Sequence, residues 1–172
     1  SYIRLDGQYI VVRDGAEVTI DENFKYTPGD RVLSASGNEA NIFIDDNKIV
    51  ALNGECDVAV TAKGSKGSGS VVVDALKGNL SISAGDSAKK TEFAVTLPHI
   101  AADFKGATVD VIASEELEEI VVTTGTATVM ANGEELVLNA GDAILYREGQ
   151  VLHGTKDMVD KYLAAEAETT LA

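Results

Sequence analysis

Tryptophan is absent from this chain, proline and histidine occur twice each, cysteine once, and 14 basic residues face 28 acidic ones. Each shortage excludes something. The single cysteine, Cys56, leaves no intramolecular disulfide and no multi-cysteine metal site. It sits in Gly54-Glu55-Cys56-Asp57-Val58, where a buried small side chain is expected rather than a reactive thiol. The net charge of -14 repels phosphate backbones and argues against nucleic acid as a partner. No apolar run approaches the ~20 residues that a membrane-spanning helix needs.

Catalytic chemistry is limited by supply. His99 and His153 stand far apart, and no nucleophile, base and orienting acid share a recognisable spacing. Asp45-Asp46 and the run Glu115-Glu116 with Glu118-Glu119 read as solvated turns. Asp45-Asp46-Asn47 and Asp21-Glu22-Asn23 offer oxygen ligands for a structural Ca²⁺, although neither completes a calcium loop. The expectation is a protein that is not an enzyme and needs no cofactor, with Ca²⁺ as the one candidate ion.

What the chain does have is hydrophobic patterning. Apolar residues make up 45% of 172 positions, enough for a packed core that buries roughly two-thirds of the unfolded surface. Strand-type alternation runs from Tyr2 to about Leu152, broken by Asp-Gly, Asn-Gly and Gly-Asp turns about 8–12 residues apart. Gly64-Ser-Lys-Gly-Ser-Gly-Ser70 reads as a flexible loop between strands. Val11-Val12-Arg13-Asp14-Gly15 with Gly29-Asp30 is echoed by Val121-Val122-Thr123-Thr124-Gly125 with Gly141-Asp142, and more briefly by Leu76-Lys77-Gly78 with Gly85-Asp86. Stacked β-units of this kind bury a shared core.

From Lys156 the period becomes helical. Met158, Val159, Tyr162 and Leu163 fall on one face, Thr155 can cap the helix, and Asp157 suits its positive end. That face packs either on its own domain or against a neighbouring subunit. The expected fold is therefore all-β, a solenoid-like or sandwich arrangement of twisted antiparallel sheets over 1–152, followed by a short C-terminal α-helix and tail over 153–172.

Two family resemblances bear on function. Gly125 to His153 resembles the second cupin motif, with Ala140-Gly141-Asp142 opening a strand and His153 downstream of Gly149. Arg147 stands where that motif has proline, His153 lies one residue too far along, and the first motif has no counterpart. A lone histidine cannot hold a catalytic transition metal, so this resemblance implies at most a cupin-like small-molecule binder.

The broader resemblance covers nearly the whole β-region. Gly29-Asp30 opens a strand, a hairpin passes through Asp45-Asp46-Asn47, and Leu76-x-Gly78-x-Leu80 follows. Phe93-x-Val95-x-x-Pro98, Ala102, and Gly106-Ala107-Thr108 ahead of Val109-Asp110-Val111 come next. The pattern closes through Val122-x-x-Gly125-x-x-x-Val129 to Leu138-x-Ala140-Gly141-Asp142. These motifs resemble the FecR-type domain, with Ala107 splitting the family's Gly-Thr pair and Val109 replacing its usual bulky residue. The resemblance implies paired antiparallel sheets working outside the cytoplasm, in the periplasm or at the cell surface, in a family whose membrane-anchored members relay iron-siderophore signals to sigma factors.

The chain starts at Ser1 and carries no cytoplasmic helical segment or membrane span, so a removed signal peptide and a free-standing module are expected. The first functional expectation is a structural subunit that self-associates, as a homo-oligomer or filament. Its N-terminal strand region, Ile3, Leu5, Tyr9, Ile10 and Val12, would complete the open edge of the next copy. The helix face Met158, Val159, Tyr162 and Leu163 would offer the second contact. A periplasmic sensor module of the FecR type, acting on a receptor or sigma-regulator partner, is the alternative.

Overall fold

A computed structural model describes the backbone of residues 2–45, 47–65, 68–84 and 90–171. Ser1, Asp46 of the candidate calcium ligands, Lys66-Gly67 of the glycine-serine run and Gly85-Asp86 of the shortest echo lie outside the described residues.

Among the described residues the chain forms fifteen strands and one helix. The first seven strands are β1 (Ile3–Gly7), β2 (Ile10–Arg13), β3 (Ala16–Val18), β4 (Arg31–Ser34), β5 (Glu39–Ile44), β6 (Lys48–Ser65) and β7 (Ser68–Ser83). Then come β8 (Thr91–Thr96), β9 (Ile100–Phe104), β10 (Thr108–Ala113) and β11 (Glu118–Thr124). The last are β12 (Thr126–Ala131), β13 (Glu134–Asn139), β14 (Asp142–Arg147), β15 (Gln150–Thr155) and the helix α1 (Lys156–Leu171).

The long hairpin of β6 and β7 organises everything else. The Lys48–Asn53 half of β6 and the Asn79–Ser83 half of β7 pair with β5 and β10, whereas the remaining halves pair with β4 and β8. The hairpin thus belongs to two layers. One layer runs β1-β5-β6-β7-β10-β11-β14-β15, and the other runs β3-β2-β4-β6-β7-β8-β9-β12-β13. All described pairings are antiparallel except β7 with β8, and the sheet stays open rather than closing into a barrel.

Alternation explains how the layers meet. Ala40, Ile42 and Ile44 of β5 are buried and the residues between them are not, and β4, β8, β9, β10 and β12 repeat the pattern. A single apolar cluster joins these inward residues of both layers, with Phe93 stacked on Phe104 at 5.3 Å. Side chains of this size stabilise by about 1.5–3 kcal/mol each when fully buried.

The register changes where β6 and β7 bend. Between Asn53 and Asp57 the pairing slips, and in β7 the buried set passes from Val71, Val73 and Ala75 to Leu80 and Ile82. Gly78 sits at that switch with φ +136, and a Cβ there would lie 2.6 Å from Cys56 Sγ. Glycine is therefore required on two counts, its backbone region and the close approach of Cys56.

Chain crossings between the layers stack at two places. Near the hairpin bend, Gln8 N–H donates to Glu39 O at 3.0 Å and Gly54 N–H donates to Asn38 O at 2.9 Å. At the opposite end, Ala84 N–H donates to Ala107 O, and Gly141 N–H donates to Val122 O at 2.8 Å. Gly125 closes one of these crossings with φ +78, where a Cβ would meet that of Ala107 at 2.9 Å. The two expected architectures are thus one object: a sandwich built by stacking crossings in solenoid fashion.

Several boundaries differ from the sequence reading. The glycine-serine run is mostly strand, because β6 extends to Ser65 and β7 starts at Ser68. The alternation expected to stop near Leu152 continues as β15 through Thr155. The echo does not mark a structural repeat, since Gly15 turns a hairpin within one layer while Gly125 carries the chain across. The turns differ as well: Asp14 and Gly15 take φ +52 and +80, the pair that a tight hairpin needs, whereas at the crossing the positive φ is that of Gly125 (+78) and not of Thr124.

Helix α1 lies on the outer face of its own layer. Val159 is fully buried with Val121, Ala143 and Leu145, and Leu117, Leu152 and Leu163 pack around them. Thr155 Oγ1 accepts the Met158 N–H at 3.2 Å, the N-cap expected from sequence.

Hydrogen bonds also tie the irregular segment between β3 and β4. Tyr26 Oη accepts the Val60 N–H at 2.9 Å and lies 2.7 Å from Val60 O, satisfying both groups just where β4 stops pairing with β6. Burial pushes the Tyr26 hydroxyl up to about 12. Nearby, buried Asp30 accepts from Arg13 Nε and Nη2, both at 2.8 Å, and from the Thr27 N–H at 2.8 Å. The Arg13 bond holds the Asp30 carboxyl below the usual range, helped by Thr27 and opposed by burial.

A depressed folded value means that this contribution is present above the ordinary carboxylate range near ~4 and is lost as pH falls through the folded value. Asp30→Asn is therefore expected to cost about 2 kcal/mol at pH 7. The difference from wild type in urea unfolding should shrink as pH falls below ~4, through the folded value. A difference that is constant with pH would remove Asp30 from the acid limb.

Candidate functional site

The two histidines and the cysteine have separate jobs. Cys56 is 2% exposed, with Sγ 3.4 Å from Asn53 O, and serves as the small buried side chain beneath Gly78. His153 is exposed on β15, in register with Ile144. His99 lies in the turn between β8 and β9, its ring stacked on Tyr146 at 4.3 Å and 9°. Among the described residues no group of three or more His, Cys, Asp or Glu side chains converges as a metal site. The second cupin motif gains no support, because Gly125 and Gly141 lie at interlayer crossings and His153 on an outer strand.

The acidic run is not the solvated turn that its composition implied. Glu115 and Glu116 are exposed, but Glu118 and Glu119 are 2% and 3% exposed. Glu118 points inward, in phase with Ile120 and Val122 along β11. Its Oε1 accepts the N–H groups of His99 at 2.8 Å and Ile100 at 3.3 Å, and Oε2 bonds His99 Nδ1. This clasp ties the β8–β9 turn of one layer to the start of β11 in the other. Glu119 points outward, where Lys156 Nζ donates to its Oε1 at 3.1 Å. Extending the alternation of β11 back by two residues would have placed both carboxylates on opposite faces of a strand.

Two of the candidate calcium ligands, Asp45 and Asp21, accept hydrogen bonds within the chain. Asp45 is buried and accepts the Tyr2 N–H at 2.8 Å, with Lys48 Nζ 3.5 Å away. Asp21 accepts the Asn23 N–H at 2.9 Å in a local turn.

The residues expected on one association strand are divided between the layers. Ile3 and Leu5 belong to β1 and pair with Ile44 and Ile42, leaving the other edge of β1 without a strand partner among the described residues. Ile10 and Val12 belong to β2, in register with Leu33 and Arg31 of β4. Tyr9 precedes β2 and packs against the core. The expected helix face is divided too: Val159 is buried, Leu163 packs beside it, and Met158 and Tyr162 are 55% and 41% exposed.

Tyr9 and Ile10 nevertheless meet in a groove of about 770 Å³ beside the hairpin bend. Ile20, Leu33 and Ala35 complete its apolar wall, and Ser34, Asn38 and Glu55 add polar groups to the lining. Ile10 and Ile20 are 42% and 43% exposed, so this apolar surface is available to a partner. A second groove, about 520 Å³, lies on the outer face of β5, β6, β7 and β10 beside α1 and contains Glu119 and Lys156.

Comparison with known proteins bears on the fold. No family model matches the chain, and no curated protein matches it in sequence. Among solved structures it is similar to a candidate anti-sigma factor from Parabacteroides distasonis, seen in crystal structures at 1.65 and 2.50 Å resolution. The TM-score is 0.61 in both at 18% identity, over 73% of this chain and 59% of the other. The similarity thus spans under two-thirds of that protein and shows a shared fold.

Proposed function

We propose that this domain is a non-catalytic sensor-type module that works outside the cytoplasm and binds a protein partner. The observation that carries the reading is the groove beside the hairpin bend, where Ile10 and Ile20 stand exposed against an apolar wall. The fold shared with a candidate anti-sigma factor, together with the FecR-type pattern in the sequence, favours signalling over structural assembly as the use of that surface. The FecR-type resemblance of the sequence is what supports the extracytoplasmic setting.

Ile10→Ser and Ile20→Ser should each change stability by no more than ~0.5 kcal/mol, because both side chains face solvent. A photo-crosslinker placed at position 10 in the native host should capture a different protein, and Ile20→Ser should weaken that capture. The isolated chain should run in light scattering as a monomer of 18.0 kDa. Capture of nothing but further copies of the chain, or a large assembly in isolation, would overturn the sensor reading.

A specific observation favours the structural subunit as the second reading. At one end of the stack β1 and β3 each pair on one side only, and at the other end β13 and β15 do the same, among the described residues. Open edges at both ends permit head-to-tail continuation by a second copy. Light scattering separates the two readings directly.

A further inference from the structure

The outer face of the layer beside α1 is unusual in what it leaves unpaired. In register across five strands lie Glu39, Asn53, Asn79, Ile112 and Glu119. The next row is Asn41, Ala51, Ser81, Asp110 and Val121. Neighbouring strands are ~4.8 Å apart, so these rows form one floor of polar side chains interrupted by Ala51, Ile112 and Val121, lowered at its centre by the short side chains of Ala51 and Ser81. The resulting groove of about 520 Å³ contains three carboxylates and one ammonium, that of Lys156.

Glu119 decides what the groove can hold. It is 3% exposed, Lys156 occupies its Oε1, and its buried Oε2 has no hydrogen-bond partner among the described residues. A carboxylate oxygen only accepts, and leaving one buried without a donor is unfavourable. Lys156 divides its N–H groups between Glu119 Oε1 and Asp160, the latter at 2.8 Å, and gives none to Oε2. The missing complement is an N–H donor carrying positive charge.

We propose that this groove is a binding site for a guanidinium or ammonium group, with Glu119 Oε2 as the buried acceptor and Asp110 as the second carboxylate. Asp110 and Glu119 are diagonal neighbours on β10 and β11, a separation that a planar guanidinium can bridge. The side-chain carbonyls of Asn53 and Asn79 and the hydroxyl of Ser81 accept its remaining N–H groups. Anions are disfavoured by the carboxylate excess. The cation belongs either to a small molecule or to a basic side chain of a protein segment, and the chemistry recognised is the same.

The test is a titration of the full chain at constant ionic strength, followed by nuclear magnetic resonance, with argininamide in one arm and the peptide Gly-Arg-Gly in the other. Saturable shifts are expected at the Asn53 and Asn79 side-chain amides and at Ser81 and Asp110. Tighter binding of the peptide assigns the cation to a protein segment, and tighter binding of argininamide assigns it to a small molecule. Glu119→Gln should weaken binding by about tenfold, the loss of one charge-assisted bond. Lys156→Met should instead tighten it by about threefold, because a competing ammonium is removed. The proposal is overturned by shifts that do not saturate, by equal shifts at Glu92 and Asp103 on the other layer, or by an affinity that Glu119→Gln leaves unchanged. An affinity that Lys156→Met leaves unchanged or weakens overturns it as well, even where the glutamine variant folds poorly.

Discussion

Gly78→Ala is expected to destabilise the domain by about 3 kcal/mol, combining the strain of an L-residue in a left-handed region with overpacking against Cys56. The added Cβ would lie 2.6 Å from Cys56 Sγ, 2.8 Å from its Cβ and 3.0 Å from its Cα. Two of these atoms are close to the backbone of β6, so rotating the thiol does not relieve the contact. The site also couples both layers, because the β6–β7 hairpin changes layer there. For a chain of this length the melting temperature should fall by about 6–12 °C. Cys56→Gly combined with Gly78→Ala should recover only the packing part, leaving the cost at φ +136 in place. A melting temperature within a degree of wild type for Gly78→Ala would show that the hairpin does not bend at this residue.

Removing the Glu118 carboxylate should have a comparable effect at the other kind of closure. The second half of the stack has its crossings at the far end, so near the β8–β9 turn the layers are joined by side chains rather than by chain. Glu118 supplies that joint through His99 N, Ile100 N and His99 Nδ1. Glu118→Ala strips partners from two backbone N–H groups, and each unsatisfied buried donor costs about 1–3 kcal/mol. The expected loss is about 3 kcal/mol by urea unfolding, with Glu118→Gln losing less because its carbonyl can still accept. Hydrogen exchange should show Ile100 losing protection ahead of β10. Equal stability of the alanine and glutamine variants would mean that packing, not hydrogen bonding, closes this end.

Much of the fold is legible in the residues, for identifiable reasons. Period-two alternation in Glu39–Ile44, Thr91–Thr96, Thr108–Ala113 and Thr126–Ala131 reports one buried face per strand, and burial follows it. Asn132-Gly133 turns a hairpin as type I′ chemistry requires, with φ +50 and +78. The helix start is equally plain, since Thr155 caps it in the manner its hydroxyl allows.

The candidate site was much less legible. Ile10 and Ile20 are separated by a hairpin and an irregular segment, and only folding brings them to one groove. Glu118 and Glu119 looked like surface charge because composition dominates a short acidic run, whereas a strand sends alternate residues to opposite faces. The partly unsatisfied oxygen of Glu119 is a property of its neighbours, above all Lys156, which lies 37 residues away along the chain.

Local chemistry by itself determined the all-β class, the turns and the terminal helix, because alternation, positive-φ glycines and capping act over a few residues. Layer membership was decided only by tertiary structure. The Val-Val-x-x-Gly pattern ends in a hairpin at Gly15, where Asp14 also takes a positive φ, and in an interlayer crossing at Gly125, which lies close against Ala107. Likewise the helix face was readable, but its division was not: Val159 met Val121, Ala143 and Leu145, while Met158 and Tyr162 met solvent. Register and layer are set by contacts between residues far apart in the chain, and no local pattern encodes which strand a given edge will find.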